Sequence, residues 1–221
     1  MNIILFGPPG AGKGTQADKI VKDFKLHKVS TGHLLREEIR NNTNLGNKIK
    51  PVIDKGSLVS DEIIDSLIEK ILSNNKINNN LIFDGYPRNI NQAKKLNFLI
   101  NKYNQKIFCA LNLDVDKNTI VKRIKGRQTC LKCGLIFNEY FNPPTDKNHP
   151  CGINFLEKRS DDNEKTIIDR YETYLNETMP ILKFYKELNL LQQVNGMLEI
   201  NEIYSEIRGI IASLETWHYK L

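Results

Sequence analysis

Nine residues near the start, Gly7-Pro8-Pro9-Gly10-Ala11-Gly12-Lys13-Gly14-Thr15, bring together the groups that chemistry on phosphates needs. Glycines let a turn curl until several backbone N–H groups point inward, and a helix beginning there adds its partial positive charge. Lys13 supplies a point charge able to reach the outer phosphates of a polyphosphate. The spacing follows G-x-x-x-x-G-K-[ST], except that Gly14 stands where a hydroxyl residue is usual and Thr15 follows it. That shift weakens the case for magnesium ligation by this side chain. The apolar run Ile3-Ile4-Leu5-Phe6 before the turn reads as a buried strand, and residues 16–24 after it read as a helix. A glycine turn alone could be a flexible surface loop; between a strand and a helix it implies a nucleotide-phosphate cradle.

The basic residues are unevenly chosen. Only eight of 32 are arginine, and six of those, Arg36, Arg88, Arg123, Arg127, Arg159 and Arg170, fall in or near segments that look functional on other grounds. A guanidinium presents a planar fork that grips two phosphate oxygens at once, which an ammonium cannot do. Asp84 ends the apolar run Leu81-Ile82-Phe83 and is placed to hold a divalent cation beside phosphates, although a strand-end Asp can also simply cap a turn. Pro87 restricts Tyr86 to extended backbone and so fixes the approach of Arg88. Cys130-Leu131-Lys132-Cys133 forms a C-x2-C knuckle, with Cys151 further along the same segment, a spacing that favours metal over disulfide. Cys109, inside an apolar run, reads as core packing.

These groups need elements to hold them. His27–Ser30 reads as a weak strand, Thr31 opens a helix to about Arg40 with Thr31 or Ser30 as its cap, and residues 44–55 form another short helix. A stripe of Ile63, Ile64, Leu67, Ile68, Ile71 and Leu72 marks a helix over 61–72 capped by Ser60. A strand over 81–83, a helix over 91–103, a nearly unbroken apolar strand over 107–113 and a helix over 117–125 follow. Residues 126–163 change character, with prolines, aromatics, three cysteines and no helical period. A long helix resumes over 164–187, interrupted near Pro180, and a strand near 190–194 precedes a final helix. Asn74-Asn75 and Asn78-Asn79-Asn80 read as a polar turn, and Trp217 as either packing or a contact. Strands alternating with helices imply an α/β fold with a doubly wound parallel sheet and ligands at the carboxyl ends of its strands.

At 221 residues the chain suits one core with small inserts. No apolar run approaches the ~18 residues needed to span a bilayer, and the start runs directly into the glycine turn without a leader pattern. A cytoplasmic chain without membrane association is expected. Net charge is +6, but the lysines are scattered without a cluster, and a diffuse field suits anionic small molecules as well as nucleic acid; no nucleic-acid partner is expected.

The order and spacing of the phosphate turn with Gln16, Ser30-Thr31-Gly32, Asp84-Gly85-Tyr86-Pro87-Arg88 with Gln92, Gly126-Arg127, Phe141-Asn142-Pro143-Pro144, Arg159 followed by Asp161-Asp162, and Arg170 resemble adenylate kinases of the long-lid type over nearly the whole chain. The resemblance implies a three-layer P-loop fold with a five-stranded parallel sheet. Its core would comprise 1–29, 60–125 and 164–221, with a helical NMP-binding insert over 30–59 and a cysteine-containing, β-rich lid over 126–163 hinged near Gly126 and Asn163. It implies a monomer that moves the terminal phosphoryl group of ATP to AMP with magnesium, giving two ADP. Gly10, Ala11, Gly12, Lys13, Gly14, Thr15, Arg127, Ile136, Phe137 and Leu198 would hold ATP, with Arg127 stacked on its adenine. Thr31, Arg36, Ser57, Leu58, Val59, Gly85, Tyr86, Pro87, Arg88, Gln92, Arg159 and Arg170 would hold AMP, Gln92 reading the adenine edge. Lys13, Arg88, Arg123, Arg159, Arg170 and Asp84 would serve catalysis.

The resemblance also implies structural zinc in the lid, on Cys130, Cys133 and Cys151. The chain departs from the family at the fourth place, three after Cys151, which holds Asn154, a poor zinc ligand; His149 or Asp146 could substitute. His33 replaces the usual acidic residue, Asn89 a threonine and Gln128 an arginine. Rival readings are a sibling kinase using GTP or phosphorylating CMP or UMP, a zinc-ribbon nucleic-acid module, and a catalytically silent nucleotide sensor.

Overall fold

The computed structural model describes residues 1–74 and 80–218. Most of the asparagine turn and the side chain of Trp217 lie outside the described residues. In chain order the elements are β1 (Asn2–Phe6), α1 (Lys13–Phe24), β2 (His27–Ser30), α2 (Thr31–Arg40), α3 (Asn44–Asp54), α4 (Asp61–Leu72), β3 (Leu81–Asp84), α5 (Ile90–Lys102), β4 (Ile107–Asp114) and α6 (Lys117–Lys125). Then come β5 (Arg127–Cys130), β6 (Ile136–Asn138), β7 (Leu156–Glu157), α7 (Glu164–Thr173), α8 (Met179–Glu187), β8 (Leu191–Asn195) and α9 (Ile200–His218). Among the described residues a five-stranded parallel sheet runs in the order β2-β3-β1-β4-β8.

Strand alternation divides the core. Ile4 and Phe6 face one side of the sheet, against Ile64, Ile68 and Leu72 of α4, Leu96 and Leu99 of α5 and Tyr185 of α8. Ile3 and Leu5 face the other, against Ile20 of α1, Ile120 and Ile124 of α6 and Ile203, Ile207 and Ile211 of α9. Burial on both faces is what an apolar strand without polar alternation requires. Cys109 lies in the second cluster, fully buried, as the sequence implied.

The segment after α6 forms a separate antiparallel sheet, order β6-β5-β7, between Gly126 at the end of α6 and Asn163, whose side chain accepts from the Thr166 N–H to cap α7. Two details differ from the sequence reading. Ser60 occupies the cap position of α4 without bonding it through its side chain, and Ser30 does the same at α2. The break foreseen near Pro180 is a π-helical turn, Tyr174–Thr178, that joins α7 to α8 without ending the rod. Pro180 has no N–H to give to an earlier carbonyl and crowds the preceding turn, so a widened turn just before it accommodates the ring.

Close packing of α2 on α3 depends on Gly46, where a Cβ would lie 2.1 Å from the Glu38 carbonyl oxygen. Gly46→Ala is expected to lower unfolding free energy by about 3 kcal/mol. Gly209, inside α9, has nothing within 4 Å of an added Cβ; Gly209→Ala is expected to raise stability by ~0.5–1 kcal/mol. Urea unfolding of both variants checks the contrast, and equal effects would contradict it.

A candidate phosphoryl-transfer site

The carboxyl ends of β1, β2 and β3 deliver the central residues to one edge of the sheet. Between β1 and α1 the backbone takes positive φ at Gly7 (140°), Gly10 (83°) and Gly12 (94°). At Gly10 a side chain would also strike Ile124, with a Cβ 2.7 Å from Cγ1. The turn opens onto a cavity of about 960 Å³ lined by Pro9 and the residues from Gly10 to Gln16, by α2 and by the lid. Lys13 Nζ donates to the Gly7 and Pro8 carbonyls at 2.6 and 2.9 Å. Burial, opposed by Asp84 and reinforced by Arg88, Arg170 and Arg127, pulls its pKa down to about 7.

All six arginines singled out by the sequence line this cavity, from α2, the β3–α5 loop, α6, β5, the end of the lid and α7. Arg88 Nε donates to the Gly85 carbonyl at 2.8 Å. Arg123 Nη1 reaches the Ala11 carbonyl at 3.3 Å, and Arg159 Nε donates to Thr129 Oγ1 at 3.3 Å. Asp116 accepts from Thr119 to cap α6 and, with Glu199, favours the charge of Arg123. Arg170 Nη1 donates to Asp161 Oδ2 at 2.8 Å, and Arg127 makes a bidentate pair with Asp162, its Nε at 2.8 Å from Oδ2. That pair uses the edge of the guanidinium and leaves its faces for stacking. Burial and mutual repulsion lower the pKa of Arg36 to about 10 and push that of Arg159 well down. Burial also lowers Arg88 and Arg170, against the pull of Asp161. Seven cations therefore gather, with Asp84, Asp161 and Asp162 among their close counter-charges. An environment that disfavours its own cations is one that a polyanion relieves.

A smaller cavity of about 130 Å³ adjoins the first, lined by Ser57, Leu58, Val59, Pro87, Tyr174 and Thr178, and sharing Lys13, Arg36, Gly85, Arg88 and Arg170 with it. Ile136 and Leu198 line the main cavity. Phe137 also reaches its wall, with its ring packed on His149 at a centroid distance of 4.6 Å. Three expected contacts are otherwise engaged. The Thr31 hydroxyl donates to the Gly85 carbonyl at 2.7 Å, and Tyr86 is buried with its hydroxyl on Asp65 at 2.9 Å. Gln92, 2% exposed, accepts from the Arg88 N–H at 2.8 Å and donates to Asp61 at 2.7 Å. None of the three forms part of either cavity wall. The substituted Asn89 caps α5 and bonds Asp61, Gln128 donates to Glu139, and His33 lies 3.6 Å from Glu37.

Sequence reasoning assigned no role to Asp161 and Asp162, which hold Arg170 and Arg127. Two adjacent carboxylates two residues after an arginine were the available signal. It also missed the contact between the two inserts, where Ser160 Oγ donates to Asp54 Oδ1 at 3.1 Å. The lid lies over the phosphate turn: a Cβ on Gly14 would sit 3.3 Å from Ile136 Cδ1 and 3.7 Å from Asp84 Oδ2. Asp84, which accepts from Ser30 Oγ at 3.3 Å, thus offers carboxylate oxygen beside the phosphate turn, the donor type magnesium takes.

Cys130, Cys133, His149 and Cys151 place their ligating atoms within 4.8 Å of one another. His149 is 3% exposed and neither ring nitrogen has a hydrogen-bond partner, an arrangement that is costly unless something else binds there. Three thiols and an imidazole fit tetrahedral zinc. Asn154 and Asp146 are exposed, and His149 is the group that lies with the three thiols.

Two measurements follow from this geometry. Binding a non-hydrolysable nucleoside triphosphate at pH 8 is expected to take up about one proton, because phosphate restores the charge of a lysine that is mostly neutral in the free site. Calorimetry in buffers of differing ionisation enthalpy reads this, and Lys13→Met should abolish it. The sign carries over to stability: the unfolded lysine keeps its proton to about 10.5, so this group makes the free protein more stable as pH rises from about 7 towards that value. Purified protein is expected to carry about one zinc per chain, with chelation lowering its melting temperature. Metal-free protein indifferent to chelator would remove the zinc assignment.

Comparison with known proteins agrees with this chemistry. The adenylate kinase family model matches residues 5–190. An adenylate kinase of Pelagibacter ubique is 48% identical over 211 residues, covering 96% of this chain and 99% of the relative. Adenylate kinases of Bacillus cytotoxicus and Methanothrix thermoacetophila are 40% and 41% identical over 216 and 217 residues, each covering 97% of this chain and 100% of the relative. By the extent of the family match and by end-to-end similarity to these relatives, the chain belongs to the adenylate kinase family.

Proposed function

We propose that the chain catalyses the reversible transfer of the terminal phosphoryl group of ATP to AMP, giving two ADP, in adenine nucleotide homeostasis and AMP salvage. An oxygen of the AMP phosphate forms the new bond to the γ-phosphorus, the bond from that phosphorus to the β,γ-bridging oxygen breaks, and ADP leaves. The observation that carries this reading is the gathering of Lys13 and six arginines around one cavity at the phosphate turn.

Phosphoryl transfer asks the protein for alignment and for stabilisation of charge spread over the equatorial oxygens. In this reading the turn from Gly10 to Thr15 holds the ATP phosphates, Arg127 stacks on the donor adenine, and Ile136, Phe137 and Leu198 border it. Arg36, Ser57, Leu58, Val59, Gly85, Pro87 and Arg88 border AMP, with Thr31, Tyr86 and Gln92 supporting that wall from behind. Lys13, Arg88, Arg123, Arg159 and Arg170 surround the moving group. Magnesium bound with ATP offsets phosphate charge, and Asp84 with Ser30 would hold it. Segments 30–59 and 126–163 move over a core of 1–29, 60–125 and 164–221, hinged near Gly126 and Asn163, and exclude the water that would otherwise hydrolyse ATP. Cys130, Cys133, His149 and Cys151 would hold zinc, which would stiffen the lid.

We place the reaction in the cytoplasm and assign it to a monomer that needs neither nucleic acid nor a membrane. The close, unbridged thiols of Cys130, Cys133 and Cys151 are in keeping with a reducing compartment. Among the described residues no helix is long and apolar enough to cross a membrane.

A coupled assay with ATP and AMP, CMP or UMP, repeated with GTP as donor, tests the substrate assignment. AMP with ATP is expected to turn over at least about tenfold faster than the other pairs, the low end of what the shape of an apolar pocket discriminates. Equal turnover of CMP would reject it.

A further inference from the structure

The loop from Gly85 to Asn89 that carries Arg88 belongs to neither strand nor helix, so no backbone ladder fixes it. Arg88 is held by specific bonds instead. Its N–H donates to Gln92 Oε1 at 2.8 Å, and its Nε donates to the Gly85 carbonyl at 2.8 Å. Its carbonyl accepts from Thr178 Oγ1 at 2.7 Å, a contact between residues 90 apart in sequence. Thr178 is the last residue of the π-helical turn and lines the smaller cavity beside Arg88 and Arg170.

A helical threonine ordinarily returns its hydroxyl to the carbonyl one turn back. Thr173, five residues earlier on the same rod, does so, donating to Asp169 at 2.8 Å. Thr178 instead directs its hydroxyl across to another segment. The π turn that ends at Thr178 adds a residue to the rod, which changes the direction in which this side chain points. Widened turns of this kind recur at functional sites. The rod that presents Arg170 to the cavity therefore also fixes the backbone of Arg88.

We infer that Thr178 is a positioning residue for phosphoryl transfer, holding Arg88 through its carbonyl so that the guanidinium meets the phosphates at a fixed place. This rests on the role proposed for Arg88. Small displacements of an aligning group weigh on the chemical step more than on nucleotide affinity.

Steady-state kinetics of the whole protein test it with Thr178→Val, which keeps the shape and removes the hydroxyl, Thr178→Ser, which keeps the hydroxyl, Arg88→Ala, and the double variant Arg88→Ala/Thr178→Val. Thr178→Val is expected to lose about tenfold in kcat with KM for ATP within about twofold, and Thr178→Ser to stay within about threefold of the parent. The double variant should be no slower than Arg88→Ala alone, because a residue acting through Arg88 has nothing left to position. If Thr178→Val does not fold, Thr178→Ala takes its place. Parent-like kcat in Thr178→Val beside an impaired Arg88→Ala overturns the inference and leaves Arg88 its role. A loss that serine does not rescue, or that adds to Arg88→Ala, also overturns it. An unimpaired Arg88→Ala overturns both assignments.

Discussion

Charges of one sign do not share a buried space willingly, and the site exists only because the rest of the structure compels them to. Lys13, Arg36, Arg88, Arg123, Arg127, Arg159 and Arg170 come from separate elements, and burial disfavours the charge of most of them. Asp161 and Asp162 offset part of the repulsion by holding Arg170 and Arg127. Asp162 also lies 3.5 Å from Arg170, so its removal would strip buried Arg127 of its ion-pair partner and Arg170 of its second one, a far larger penalty than the loss of a surface pair. The remaining excess is what gives the site its appetite for phosphates. The sheet supplies the rigidity that this requires: its strand ends are fixed by cores on both faces, so the loops at its edge have a firm base.

Much of this was readable in advance because periodicity and turn chemistry are local. The alternation of buried strands with amphipathic helices, the glycine turn and the stripe on α4 follow from patterns within a few residues. The convergence of the arginines was legible indirectly, from selective use of arginine in a lysine-rich chain. What escaped depends on contacts between distant segments. The orientations of Thr31 and Gln92 are set by Gly85, Arg88 and Asp61. The cap positions of α2 and α4 looked ordinary in sequence, yet Ser30 bonds Asp84 instead. The π turn before Pro180 has no signature beyond the proline itself.

The lid illustrates both limits. Three cysteines announced a metal cluster, but the fourth ligand could not be read from spacing, because the chain between Cys133 and Cys151 winds back on itself. His149 lies there under the ring of Phe137, with both nitrogens lacking hydrogen bonds. A sheet as small as β6-β5-β7 buries too little apolar surface to hold its shape unaided, and a metal held by these four groups would replace the missing core.

The bond from Ser160 to Asp54 bridges the two inserts at their outer rim. Outward movement of either segment would have to part this hydroxyl and carboxylate, so the two movements would share one cost. A hydrogen bond of this kind is worth about 0.5–1.5 kcal/mol, so it would favour the shut arrangement slightly without timing the departure of either ADP.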